Sequence, residues 1–247
     1  MVINSNFWKN KKVLLTGHTG FKGSWLSIWL KKLGVELIGF SKDIPTKPSL
    51  FELAKVSENM ISTMGDIRNL SVIQKVIQEH QPDIIIHMAA QPLVRKSYEN
   101  PLETFSTNIM GTANVLESIK MTEKTRVIIN VTSDKCYKNN GANEKFSEDS
   151  PMGGYDPYSS SKACSELVTS SYRDSFFNPK EYEKHGVSLA TCRAGNVIGG
   201  GDWSKDRLIP DIMRGVINNE IIKIRNPNAI RPWQHVLDPL NGYLTLA

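Results

Sequence analysis

The stretch KKVLLTGHTGFKGSWLSIWLKKLG, residues 11–34, constrains the fold most. A short apolar run (11–17) passes through Gly17, Gly20 and Gly23 into a segment with Trp25, Ile28 and Trp29 at helical spacing, which stops at Gly34. A strand that feeds a helix through a glycine-rich turn begins a parallel βα unit. The glycines let the backbone turn tightly and approach an anion, whose charge then sits on the helix N-terminus. In this position the three glycines point to a dinucleotide pyrophosphate.

The alternation continues along the chain. VELIGF (35–40), PDIIIHMAA (82–90), RVIINV (126–131) and VSLATCRAGNV (187–197) read as strands. SVIQKVIQEH (71–80), Pro101 to Lys120, and about Tyr158 to Tyr172 read as helices. The rhythm predicts an α/β fold, a Rossmann-like doubly wound parallel sheet with helices on both faces. Two loops, 41–51 and 138–157, are long enough to be functional. After Val197 the texture changes to a Gly-rich loop, a helix, a short strand IIKIRN and a final helix from Pro239 to Ala247. We expect a cofactor-binding domain over 1–197, the start of a smaller C-terminal substrate-binding lobe over 198–230, and a segment returning to the first domain over 231–247. The stop inside that last helix suggests an incomplete lobe.

The net charge of +5 is spread along the 247 residues, densest at KNKK (9–12). No basic stripe with interleaved aromatics is present, which argues against nucleic acid and leaves an anionic small ligand. Cys136, Cys164 and Cys192 are far apart and match neither a zinc spacing nor a disulfide framework, so no metal is expected and a reducing compartment is. The N-terminus has no signal-peptide core, and no apolar run approaches the ~20 residues of a membrane span. These features predict a cytoplasmic protein.

Two short motifs carry chemistry. In YSSSK (158–162), Tyr158 and Lys162 are four residues apart and share a helix face, with Pro157 suited to the helix start. A tyrosine titrates near ~10 unless helped, and a nearby ammonium favours its phenolate. In VTSDKCY (131–137), the end of a buried strand places Thr132 and Ser133 before an acid, Asp134, and a base, Lys135. An isolated SDK is a solvated turn; beside a cofactor site, adjacent titratable groups can serve as general acid and base.

The GxxGxxG spacing and the YxxxK pair resemble the short-chain dehydrogenase/reductase superfamily. HMAAQ (87–91), TNIMGTANVLE, RAGNVIGGGDW (193–203) and RPWQHVLD (231–238) resemble its extended, sugar-nucleotide-modifying branch. TGHTGFKGSWL, AAQPLVRKSYENP, VTSDKCY, YSSSKACSE, GNVIGGGDW and RPWQHVLDPL resemble the CDP-glucose 4,6-dehydratase family over essentially the whole chain. The resemblance implies NAD held by Gly17, Thr19, Gly20, Phe21, Gly23, Ala89, Ala90, Tyr158 and Lys162. Asp43 would reach the adenosine ribose or only cap a turn. Asp66 and Ile67 would contact adenine, unless Asp66 is a helix N-cap. Lys42, beside Ser41, leaves NADP open. It implies substrate contacts from Gln91, Asn108, Asn196, Arg207 and Arg231.

Related dehydratases carry Asp-Glu after the Ser or Thr that binds the reacting hydroxyl, whereas this family has Asp-Lys and epimerases lack the pair. Ser133 aligns with that hydroxyl position, with Thr132 the alternative. The implied reaction oxidises the sugar at carbon 4, removes water across carbons 5 and 6 and returns hydride to carbon 6. Tyr158 would be the base for oxidation and Asp134 the acid at carbon 6. Lys135 would be the base at carbon 5 or a cation stabilising the enolate. The expected partner is CDP-glucose, with no nucleic acid or membrane, in a homodimer or higher homo-oligomer packed through the 101–120 and 158–172 helices. Another nucleotide-sugar dehydratase, an epimerase, and a cofactor-binding remnant without turnover stand as alternatives.

Overall fold

The computed structural model describes residues 3–139, 141 and 145–247; Met1, Val2, Asn140 and 142–144 of the long loop lie outside the described residues. Six strands form one all-parallel sheet: β1 (Lys12–Thr16), β2 (Glu36–Ser41), β3 (Ile61–Met64), β4 (Ile84–His87), β5 (Val127–Val131) and β6 (Ser188–Cys192). Their spatial order is β3-β2-β1-β4-β5-β6. The order reverses between β1 and β4, and a crevice at such a switch point receives ligands. The inner strands are continuous apolar runs, as a sheet buried on both faces demands; Ile84, Ile85 and Ile86 of β4 are all buried.

Helices cover the two faces. Helix α1 (Phe21–Lys32) follows β1, and α2 (Leu70–His80) follows β3. A continuous helix α3 comprises Pro101–Phe105, a π-helical turn Ser106–Met110 and Gly111–Ile119. Helix α4 (Pro157–Phe176) packs on α3. One core cluster joins Leu26 and Leu30 of α1 to Val13, Leu15 and Ile86 of the sheet. The other joins Ile73 and Ile77 of α2 to Leu14, Ile85, Val115 and Leu116. A buried polar row crosses the α3–α4 side. Thr16 Oγ1 meets His87 Nδ1 at 2.7 Å, and Asn130 Nδ2 donates to Ser165 at 3.0 Å and Thr169 at 2.8 Å.

Four expectations change. The 187–197 strand is broken at Arg193–Gly195. Beyond it β7 (Asn196–Ile198) leaves the main sheet and pairs in parallel with β8 (Trp233–His235). IIKIRN forms no strand: Ile221, Ile222 and Ile224 are exposed, with no neighbouring ladder among the described residues. The single helix 101–120 carries the π turn. On α1 the deep face is Gly23, Ser24, Leu26, Ser27 and Leu30, with Trp25 and Trp29 packed at the margin, because small residues let the helix lie close to the sheet. After helix α5 (Leu208–Asn218), the last helix, α6 (Leu237–Leu246), returns Leu240, Tyr243 and Leu244 to the first core cluster.

The tightest contact of α1 is at Gly23, where a Cβ would sit 2.0 Å from the Gly17 carbonyl oxygen. Both atoms belong to the turn or the helix start, so neither can yield cheaply. Gly23→Ala should cost at least about 2 kcal/mol and lower Tm by roughly 5 °C or more in a thermal melt. An unchanged Tm would show that the loop adapts.

Candidate active site

The glycine loop is built for a ligand's close approach. Gly17 has φ +80, and a Cβ on it would lie 2.8 Å from Ala89 N, so the conformation and the space both require glycine. Gly17 N–H donates to Phe40 O at 2.8 Å and Gly20 N–H to Gly17 O at 3.1 Å, which folds the loop against β2. Gly20 is the N-cap of α1 and makes no side-chain cap bond. Phe21 opens the helix and borders Gly199. The first-turn amides, and the open approach at Gly20 where a Cβ would meet nothing nearer than 3.4 Å, fit a pyrophosphate.

Thr19 fixes the outer edge: its N–H meets Ser41 Oγ at 3.3 Å and its hydroxyl donates to Asp43 O at 2.6 Å. The Asp43 side chain is exposed at the end of β2, while Lys42 lies 3.6 Å from Glu103. Asp66 is not a helix N-cap: Asn69 occupies that position for α2, and Asp66 holds Arg68 through Nε at 3.0 Å and NH2 at 2.6 Å. Ile67 is buried and its carbonyl accepts from Asn114 Nδ2 at 2.9 Å. An open cleft lined by Asp66, Arg68, Asn69, Gln74 and Ser106 adjoins them, beside the π turn.

At the end of β4, Ala89 N–H donates to Thr16 Oγ1 at 3.1 Å, and Ala90 is half-buried beside it. Gln91 and Asn108, the two residues expected at the substrate from this loop and helix, are engaged with each other and with the protein. Asn108 accepts from Gln91 N at 2.8 Å and donates to Gln91 O at 3.1 Å and Ser161 Oγ at 2.8 Å. The Gln91 amide is tied to Leu93 and Thr104. Both residues brace the strand-end loop against α3 and α4.

The chemistry converges at the end of β5. Ser133 is the N-cap of a 3-10 turn, Asp134–Cys136; its Oγ lies 3.1 Å from Asp134 Oδ1 and accepts from Lys135 N at 3.2 Å. Thr132, the alternative to Ser133, is turned away: its hydroxyl donates to Glu166 and, at 3.2 Å, to Cys192 O. Lys135 Nζ lies 6.0 Å from the centre of the Tyr158 ring. Burial lowers the Lys135 pKa, Asp134 opposes this, and Arg231 and Arg207 reinforce it. Desolvation and nearby cations, the two conditions for a lysine base, are thus both present.

Helix α4 delivers the YxxxK pair. Asp156 caps it by accepting from Ser159 N at 2.9 Å, with Pro157 in the first turn. Tyr158 and Lys162 are both buried. Lys162 Nζ donates to Val131 O at 3.1 Å; burial lowers its pKa to about 8, opposed by Glu166. Burial raises the Tyr158 pKa, while the neighbouring Ser133 hydroxyl and the charge of Arg207 pull it down. Burial is the largest of these influences, and further positive charge beside Tyr158 would favour its phenolate.

Of the residues expected to meet an anion, Arg207 NH1 donates to Asp202 Oδ2 at 3.0 Å and Arg231 is exposed. Asn196 Oδ1 is the one buried side-chain polar atom without a partner among the described residues. Rotating the amide exchanges its oxygen and NH2, so Asn196 can offer an acceptor or donor to a ligand.

Three groups escaped the sequence reading. His18 is buried between Ser41 Oγ at 2.9 Å and Ser62 Oγ at 2.8 Å. Lys22 Nζ donates to Tyr243 OH at 2.6 Å, and burial, aided by Lys162 and Arg207, lowers its pKa to about 7. Glu166, one turn beyond Lys162, binds Arg193. Its i, i+4 spacing from Lys162 was visible; its partner was not.

The family model for GDP-mannose 4,6 dehydratase matches residues 14–246. The chain belongs to the GDP-mannose 4,6 dehydratase family. Within it, the chain is 57% identical over 246 residues to the CDP-glucose 4,6-dehydratase of Salmonella typhimurium, covering 100% of this chain and 68% of that protein. It is 27% identical to a dTDP-glucose 4,6-dehydratase of Xanthomonas campestris, covering 94% of this chain and 66% of that one. The chain thus spans about two thirds of these relatives' length. A solved dTDP-glucose 4,6-dehydratase of Streptomyces venezuelae, with NAD and DAU bound, superposes with TM-score 0.82 at 21% identity, over 95% of this chain and 71% of that one. That likeness shows the fold.

Burial lowers the His18 pKa from 6.5 to about 4, against a raising bond with Phe40. Unfolded, His18 takes its proton near 6.5, so its stabilising contribution is complete above that pH and is lost as pH falls towards 4. In denaturant titrations between those pH values, His18→Asn should make stability fall less steeply, by up to about 1.4 kcal/mol per pH unit. Identical slopes would contradict a buried neutral His18.

Proposed function

We propose that the chain carries the catalytic centre of an NAD-dependent CDP-glucose 4,6-dehydratase, a hydro-lyase that forms CDP-4-keto-6-deoxyglucose. The observation that carries the reading is the turn at the end of β5. It places Ser133 beside Tyr158, with the Asp134 carboxyl and the Lys135 amine on the next two residues. The family match and the 57% identity to an enzyme of that name support the choice within the fold. Asp-Lys at this turn separates the reading from an epimerase.

NAD, when bound, supplies the acceptor for hydride from carbon 4 and its donor to carbon 6. The glycine loop and the α1 N-terminus would hold its diphosphate, Asp43 the adenosine ribose, and Asp66 and Ile67 the adenine edge. Lys162 would orient the nicotinamide ribose from its seat on the Val131 carbonyl. Ser133 would accept and orient the carbon-4 hydroxyl, and Tyr158 would take its proton. Tyr158 would sit where positive charge from a bound nicotinamide could favour its phenolate. Once carbon 4 is a ketone, the carbon-5 proton is acidic. Lys135 would take it or stabilise the enolate, and Asp134 would protonate the carbon-6 hydroxyl so that water leaves. Arg207, Arg231 and the unpaired amide of Asn196 would bind the sugar-nucleotide diphosphate.

We place the activity in the cytoplasm, in deoxysugar synthesis for surface polysaccharide. A homodimer joined through α3 and α4 is supported by the exposed Leu102, Met110, Leu167 and Phe176 on those helices.

Incubation with a panel of nucleoside-diphosphate glucoses tests the function. CDP-glucose should give a 4-keto-6-deoxy product, detected by its absorbance in alkali. Asp134→Asn should lower elimination by about 100-fold or more while the first oxidation stays within a few-fold. Epimer without water loss, or Asp134→Asn acting at wild-type speed in both steps, would refute the assignment.

A further inference from the structure

The turn that carries acid and base is only three residues long, Asp134–Cys136. The residues at both of its ends are tied to one buried ion pair. Upstream, the Thr132 hydroxyl donates to Glu166 Oε1. Downstream, the Tyr137 hydroxyl accepts from Arg193 NH1 at 3.0 Å. Glu166 and Arg193 are joined by two parallel bonds, Nε to Oε1 at 2.9 Å and NH2 to Oε2 at 3.0 Å. Thr191 donates to Oε2 at 2.8 Å, and the Glu166 side chain is 3% exposed. Every oxygen of the carboxylate is therefore partnered, which a buried charge requires.

The same guanidinium reaches the long loop. Arg193 NH1 donates to the Glu148 carbonyl at 2.9 Å. Tyr137 stacks on Phe146 with ring centres 4.8 Å apart and planes 4° apart. Lys138 N–H donates to Pro151 O and Gly153 N–H to Cys136 O, both at 2.8 Å. The backbone on either side of Arg193 sets the turn as well: Thr132 N–H bonds Cys192 O at 2.9 Å and Asp134 N–H bonds Ala194 O at 3.1 Å.

We propose that the Glu166–Arg193 pair is a bracket that holds both ends of the Asp134–Cys136 turn and fastens residues 146–153 beside it, so that Arg193 and Tyr137 are positioning residues for water elimination. This rests on the dehydratase reading of the site. A planar, bidentate guanidinium suits such a joint, because it fixes direction as well as distance and has further N–H groups to spend on Tyr137 and Glu148. Elimination needs Asp134 and Lys135 placed together on adjacent carbons, and a displacement near 1 Å can cost about 100-fold. The first oxidation depends on Ser133 and Tyr158 and tolerates a looser far end of the turn. Releasing the bracket downstream should separate the two steps.

Tyr137→Phe is the cleanest release, since it deletes one hydroxyl and leaves the buried ion pair intact. Hydrogen exchange followed by mass spectrometry should show at least tenfold faster exchange in peptides covering 133–138 and 146–153, with α4 unchanged. In single turnovers with CDP-glucose, the oxidised sugar intermediate should form within about twofold of the wild-type rate and lose water at least tenfold more slowly. KM should stay within about twofold. Unchanged exchange in both peptides would overturn the bracket. Faster exchange with both chemical steps slowed equally would overturn its role in elimination. Should the wild-type protein form no 4-keto-6-deoxy sugar from CDP-glucose, the dehydratase reading fails, and the exchange measurement still decides the bracket.

Discussion

Two amide hydrogen bonds beyond the last sheet pairing govern the site. Thr132 and Asp134 donate to the carbonyls of Cys192 and Ala194, so β5 and β6 stay in register past their regular ends. Side chains alternate along an extended segment, and a slip of one residue would exchange the faces. In this register Thr132 faces Glu166 and Ser133 faces Tyr158. The parallel sheet thereby converts a strand position into a catalytic direction.

Burial and charge divide the labour among the titratable groups. Tyr158, Lys162, Lys135 and Lys22 are all shifted towards their neutral forms by desolvation as the largest cause. Arg207 presses on Lys22, Lys135 and Tyr158, favouring the deprotonated form of each. Asp134 opposes it at the two lysines and at the tyrosine. A bound diphosphate would offset the charge of Arg207 and so change the proton balance of the site. Substrate binding and acid–base readiness are linked by Coulomb interaction across one small space.

Local patterns in the sequence carried much of this. The glycine spacing, the YxxxK spacing and the acid–base pair at a strand end are each written within eight residues. They give the sheet class, the cofactor loop and the polar centre because the forces involved act between near neighbours. What the sequence hid is non-local. Lys22 meets Tyr243 across 221 positions, and Arg193 meets Glu166 across 27. The 187–197 run reads as one strand because its apolar pattern is continuous. Its last residues leave the sheet for β8, a partner 37 positions away in sequence at Asn196–Trp233. The hydrogen bonds by which Asn108 holds the Gln91 backbone join residues 17 positions apart and were equally hidden.

If the strand-end acid and base dehydrate a sugar already oxidised by the Tyr158 centre, carbon 5 must exchange its proton through Lys135. Turnover in heavy water reads this exchange in the wild-type protein and in Lys135→Met. Wild-type product should carry one solvent deuteron at carbon 5. Lys135→Met should still oxidise carbon 4 but exchange carbon 5 at least about 100-fold more slowly. Carbon-5 exchange at the wild-type rate in Lys135→Met would contradict it.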